Sequence, residues 1–158
     1  MKNTLKLGPQ GDREVVVVRT FNAPRALVFE AFTTPELVKR WMLGPDGWSM
    51  PVCTIDLRPG GKGRYEWKNA NRDGGMGLSA VYKEIVPPER IVHTEKFDED
   101  WTGGEATITT LFTEKAGKTT VTMTIAYSSP QARDRVLKSG MEQGMAAGYD
   151  RLDELLGS

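Results

Sequence analysis

Residues 64–97 read RYEWKNANRDGGMGLSAVYKEIVPPERIVHTEKF, and the alternation within them decides the fold. Tyr65 and Trp67 alternate with Arg64, Glu66 and Lys68, while Met76, Leu78, Ala80 and Tyr82 alternate with residues such as Ser79 and Lys83. Successive side chains of a strand point to opposite faces, so a period of two predicts strands with one apolar and one wet face. Asp73-Gly74-Gly75 and Pro87-Pro88 are turn chemistry, and they cut the stretch into antiparallel neighbours. The same grammar extends on both sides. Cys53, Ile55 and Leu57 precede it, and Ala106, Ile108 and Phe112, then Val121, Met123, Ile125 and Tyr127, follow it. Pro59-Gly60-Gly61, Thr102-Gly103-Gly104 and Ala116-Gly117-Lys118 separate these runs as in a meander.

Upstream, residues 14–21 (EVVVVRTF) are β-branched and short, which predicts a further strand after a flexible tail over residues 1–13. Pro24 then opens a helical spacing of Leu27, Val28, Ala31 and Phe32. A second short helix has Thr34 as cap, Pro35 at its first position, Leu37, Val38 and Trp41 as its stripe, and Gly44-Pro45 as its stop. Residues 129–156 predict one long helix capped by Ser129, with Leu137, Met141, Met145, Tyr149, Leu152 and Leu156 on one stripe and Gly157 closing it. Seven strands must close or be covered to bury one face, and only the C-terminal helix is long enough to cover them. The expectation is therefore an α+β fold: a curved, seven-stranded antiparallel sheet wrapped around a long C-terminal helix, with two short helices after the first strand. Residues 14–158 form a single domain, with no internal repeat or linker.

Composition restricts function. The 158 residues are 39% hydrophobic and 27% charged, with 21 basic and 21 acidic side chains. Such a chain removes about 68 to 70% of its surface from water and needs no disulfide or structural metal. A formal net charge of zero lacks the basic excess of a nucleic-acid binder. The longest early apolar run, residues 15–18, falls far short of the roughly 20 residues that span a bilayer. Residues 1–12 resemble neither a signal nor a transit peptide. One cysteine, Cys53, rules out an internal disulfide and fits a reducing cytosol, so a cytoplasmic location without membrane or nucleic-acid partner is expected.

Four ordered blocks carry a family resemblance. Residues 21–35 contain Phe21, Ala23-Pro24-Arg25, Val28-Phe29, Ala31-Phe32-Thr33 and Pro35, followed by Trp41 and Gly44-Pro45. Asp56, Arg58-Pro59-Gly60-Gly61, then Pro87-Pro88-Glu89-Arg90-Ile91, then Gly140-Met141 and Gly144 complete the set. Together they resemble the activator of heat-shock-protein-90 ATPase homologue family over nearly the whole chain. That family belongs to the START-like (SRPBCC) superfamily of helix-grip folds, and the resemblance implies a cavity between sheet and C-terminal helix that often takes an apolar ligand. One departure is Trp41-Met42, where many relatives carry two tryptophans. The family name is not itself a function. The eukaryotic co-chaperones resemble this chain in one domain and carry another ahead of it, for which 158 residues leave no room.

Parity then selects candidate residues. His93 and Glu95 share the phase of Ile91 and Phe97, so both are expected to point inward, where an imidazole and a carboxylate form an acid/base pair or orient a polar ligand. The plainer reading is a histidine hydrogen-bonded to a neighbour such as Tyr65 or Tyr82. A metal site is not expected, since His93 and Cys53 are the only residues of their types. No cofactor is expected either, because the glycine pairs precede strands and so lack the helix N-terminus of a phosphate cradle. Cys53 shares an apolar face and reads as a buried thiol. Gly140, Gly144 and Gly148 each cost a helix interior about 1 kcal/mol, which close approach of helix to sheet or volume left for a ligand would offset. Arg25 and Arg58, beside turns, read as structural.

The expected ligand contacts are Trp41, Tyr65, Trp67, Tyr82, His93, Glu95, Phe97, Phe112, Met141, Gly144, Met145 and Tyr149, with His93 and Glu95 as the catalytic candidates. The leading expectation is binding of a small hydrophobic or aromatic molecule. A cyclase or hydrolase acting on an aromatic or polyketide-like substrate, and a chaperone-associated interaction module using residues 98–101, are the rivals. Candidate partners are thus an apolar ligand, a second copy of the chain or a chaperone.

Overall fold

The computed structural model describes residues 4–43, 46–71, 74–100 and 103–157. Eight strands, β1 (Lys6–Gln10), β2 (Glu14–Phe21), β3 (Trp48–Ile55), β4 (Lys62–Asn69), β5 (Gly75–Val86), β6 (Arg90–Phe97), β7 (Ala106–Lys115) and β8 (Lys118–Ala126), form one antiparallel sheet in the order β1-β2-β8-β7-β6-β5-β4-β3. Helices α1 (Arg25–Thr33) and α2 (Pro35–Trp41) carry the chain from β2 to the opposite edge strand β3, and α3 (Pro130–Leu137) and α4 (Met141–Leu155) follow β8. The α+β fold with a C-terminal helix against an antiparallel sheet is the helix-grip arrangement expected from the sequence. The anticipated helix stop at Gly44-Pro45, together with Asp73, Trp101 and Thr102 of the expected turns, lies outside the described residues. No helix is long and apolar enough to cross a membrane among the described residues.

Two expectations need correction. The sheet has eight strands, because residues assigned to a flexible tail form β1, with Lys6 opposite Val18 and Gln10 opposite Glu14. β1 shows no apolar alternation because it is an edge strand that satisfies the backbone of β2 and leaves most of its own side chains wet. The single long C-terminal helix is in fact two. α3 starts as expected, with Ser129 Oγ accepting from the Ala132 N–H at 3.1 Å, but the chain turns at Gly140, whose φ of +85° is the left-handed conformation that glycine adopts without a steric penalty.

The inner face follows the period of two. Val15, Val17 and Phe21 of β2, Ile108 and Phe112 of β7 and Val121 of β8 are buried together with Val28 and Phe29 of α1 and Leu152 of α4. Arg19 falls in the same phase and is 2% exposed. Its guanidinium donates to Asp150 at 2.9 Å and to Asp153 at 3.1 Å, both on α4, so this charge bolts the helix to β2. A Cβ on Gly148 would stand 3.0 Å from the Trp41 carbonyl, so α4 passes close against the end of α2.

Candidate functional site

Between the sheet and the first turns of α4 the interior is not filled. A cavity of about 430 Å³ lies there, walled by β3 to β8, the ends of α1 and α2, α3 and α4. Cross-strand register assembles its floor: Tyr65 of β4 sits opposite Leu78 of β5, Tyr82 opposite His93 of β6, and His93 opposite Ile108 of β7. Each is an inner-face residue, so one period-two pattern repeated on adjacent strands becomes a continuous wall.

The aromatic side chains are held by their own polar atoms. Trp41 donates its indole N–H to the Ala31 carbonyl at 2.9 Å, and Trp67 donates to the Met42 carbonyl at 2.8 Å while stacking on Tyr65 at 6.0 Å between ring centroids. The Tyr65 and Tyr82 hydroxyls share a hydrogen bond of 3.1 Å. Burial, aided by the Glu95 carboxylate, drives the Tyr65 hydroxyl well above its ordinary pKa and pushes Tyr82 up to about 12. Burial and the same carboxylate also raise Tyr127. These phenols are therefore neutral hydrogen-bonding groups at neutral pH.

His93 and Glu95 point into this space as parity predicts, but the partner of the histidine differs from the plainer expectation. His93 Nε2 lies 3.0 Å from Glu95 Oε2, and Tyr82 meets the imidazole ring at 5.7 Å between centroids instead of by a hydrogen bond. Because a carboxylate only accepts, Nε2 carries the proton. Nδ1 is buried with no hydrogen-bond partner. Cys53 is buried near this wall, and burial holds its thiol up at about 11 against the opposing pull of Lys39, which makes it a poor nucleophile. Among the described residues, no group of three His, Cys, Asp or Glu side chains is placed to hold a metal ion.

Of the expected ligand contacts, Trp41, Tyr65, Trp67, Tyr82, His93, Glu95, Phe97, Met141, Gly144, Met145 and Tyr149 all line the cavity, and Phe112 does not. Phe112 is 1% exposed and packs edge-on against Phe29 and Phe32, each at 5.3 Å. Parity gave its face correctly, but its place along β7, opposite Val121, lies beneath α1. Trp48, Thr110, Met123 and Val136 also line the cavity and were not among the expected contacts. The inward phase of β7 and β8 already contained Thr110 and Met123.

In the acidic segment considered as an interaction surface, residues 98–100 are exposed and Asp100 accepts from the Gly104 N–H at 2.6 Å. Asp98 takes two hydrogen bonds from Arg64, at 2.7 and 2.5 Å, which hold its carboxyl below the usual range.

Comparison with known proteins supplies the relationship. The chain matches the family described as activator of Hsp90 ATPase homolog 1-like protein over residues 22–157. No curated protein matches it. Among solved structures it is similar to a protein from Rhodobacter sphaeroides, with 31% identity, 98% of each chain covered and a TM-score of 0.91. It is also similar to one from Staphylococcus epidermidis, with 28% identity, 94% of this chain and 92% of that one covered, and a TM-score of 0.81. A Mycobacterium smegmatis protein at 23% identity, covering 97% and 96% of the two chains with a TM-score of 0.84, shares the fold. With the family's pattern matched from the start of α1 to the end of α4 on a sheet that grips that helix, this chain belongs to the activator of Hsp90 ATPase homolog 1-like family.

Proposed function

We infer that the chain is a cytoplasmic binding protein for a small apolar or aromatic molecule, taken up between the sheet and α4. The carrying observation is the unfilled volume of about 430 Å³, within the usual range of small-molecule sites, lined by aromatic and methionine side chains with a few convergent polar groups. Protein interiors are otherwise packed at crystal density, so a void of this size is not a packing accident. Methionines such as Met123, Met141 and Met145 suit a wall that adapts to its occupant. Uptake of the neutral fluorescent probe Nile red tests the reading. Gly144→Leu fills the cavity from α4 and should reduce uptake about tenfold or more, which corresponds to about 1.4 kcal/mol. A folded Gly144→Leu protein that still takes up the probe would sink the cavity reading.

The His93–Glu95 pair supports a second reading, proton-transfer catalysis on such a molecule. Replacing His93 by Gln would then cut turnover by about 10² to 10⁴ with little change in affinity. Incubating aromatic esters and ketones with the wild-type chain and with His93→Gln decides between the two, since a pure binder converts none of them.

A further inference from the structure

The charge of the cavity wall is one-sided. Among the described residues no lysine or arginine lines it, and Glu95 is its only carboxylate. Glu95 is partly exposed, and the His93 N–H occupies one of its oxygens while the other has no hydrogen bond among the described residues. The next lysine in the chain, Lys96, is exposed on the opposite phase of β6. Tyr65, Tyr82, Trp67 and Tyr127 line the same cavity as Glu95, and the carboxylate's field reaches the three tyrosine hydroxyls. A ring face carries the negative part of its quadrupole, so aromatic walls and a carboxylate favour the same guest.

We propose that the preferred occupant is a cation, an apolar or aromatic molecule bearing a protonated amine or quaternary nitrogen that sits at Glu95 with its body against the aromatic wall. The assignment rests on the binding reading above and adds the charge class of the ligand. A carboxylate-bearing ligand such as a fatty acid would bring a second negative charge into a poorly solvated space that holds no cation to receive it. What attracts it is limited to neutral donors such as the tyrosine hydroxyls and to the N-terminus of α4, where the first N–H groups near Met141 are not used within the helix. That partial charge fades within one turn and stands beside the exposed Glu142.

The test compares 4-phenylbutylamine, 4-phenylbutan-1-ol and 4-phenylbutyrate, which differ in the charged end, by isothermal titration at neutral pH and low salt. The amine should bind about tenfold more tightly than the alcohol, and the alcohol more tightly than the carboxylate. Glu95→Gln keeps an acceptor for His93 Nε2–H and should bring the amine-to-alcohol ratio down to about one, by removing the charge alone. Equal binding of amine and alcohol to the wild type would overturn the charge assignment and leave the binding reading standing. So would tightest binding of the carboxylate, or an amine preference that survives Glu95→Gln. If none of the three binds and Nile red is also excluded, the binding reading falls and this assignment falls with it. Should Glu95→Gln fail to fold, the wild-type ranking and its salt dependence decide alone, since only the amine's advantage should shrink at high salt.

Discussion

From Gly148 onward α4 is packed against α2 and bolted to β2, with Gly148 and Tyr149 still bordering the cavity, while from Met141 to Ala147 the same helix roofs that cavity. In the first region Gly148, Tyr149, Leu152 and Asp153 are buried, and the ionic bolt from Arg19 holds the last turns. In the second, no residue is fully buried and the inward side chains are methionines and a glycine. About half of a helix, if fixed firmly enough, carries the rest over an unfilled space. Stability and cavity are thus separated along one element, which is how a small domain holds a pocket without losing its core.

The comparison is broken most severely at Arg19. Arg19→Met removes the guanidinium that meets Asp153, a carboxylate only 6% exposed, and should lower unfolding free energy by about 3–5 kcal/mol in urea titration. Adding Asp153→Leu and Asp150→Asn should recover much of that loss, since an apolar replacement leaves no charge to desolvate. Full stability in Arg19→Met would mean that the clamp lies elsewhere.

The two halves are next sharpened by the same substitution at equivalent glycines. Gly148→Ala forces a contact at 3.0 Å with the Trp41 carbonyl and should destabilise by about 1–2 kcal/mol, overpacking outweighing the gain in helix propensity. Gly144→Ala borders the cavity and should stabilise by up to about 1 kcal/mol. Melting temperatures moving in the same direction would erase the distinction.

Away from α4, alkaline pH loads the core cluster beside the cavity. Cys53 has a folded-state pKa near 11 against an ordinary value of 9.0. The group is neutral when protonated, so the unfolded chain loses its proton first, and stability should be flat below pH 9 and fall as pH rises from about 9 to about 11. Urea midpoints across that range should fall less steeply in Cys53→Ala. The smallest effect belongs to Arg58, which the sequence marks as structural. Its side chain is 75% exposed and its ion pair with Asp56 lies in solvent, so Arg58→Ala should shift stability by no more than about 0.5 kcal/mol.

What the sequence made legible was what repeats. Alternation on the strands and three-to-four spacing on the helices assigned the inner faces, and all of the expected ligand contacts but Phe112 line the cavity. It missed what depends on single positions or distant partners. β1 carries no alternation because nothing is buried beneath most of it, and the helix break at Gly140 hangs on one left-handed residue. The stripe of Gly140, Gly144 and Gly148 offered close approach or ligand volume as alternatives. Close approach holds at Gly148, which borders the cavity together with Gly144, and Gly140 serves the turn. Arg19 shares the phase of Val17 and Phe21, so its burial could be inferred, but its partner Asp150 lies 131 residues away and no local pattern announces it.

That separation also governs how the chain is made. β2 pairs along its whole length with β8, Phe21 opposite Thr119, so roughly 100 residues must follow β2 out of the ribosome before its partner exists. At about 5–20 residues per second the valine-rich strand waits on the order of 5–20 s with that edge unpaired. Its other edge need not wait, because β1 precedes it and can fold back through the Gly11 turn at once. The strand that looks dispensable in the finished sheet is the first partner a nascent, aggregation-prone edge can find.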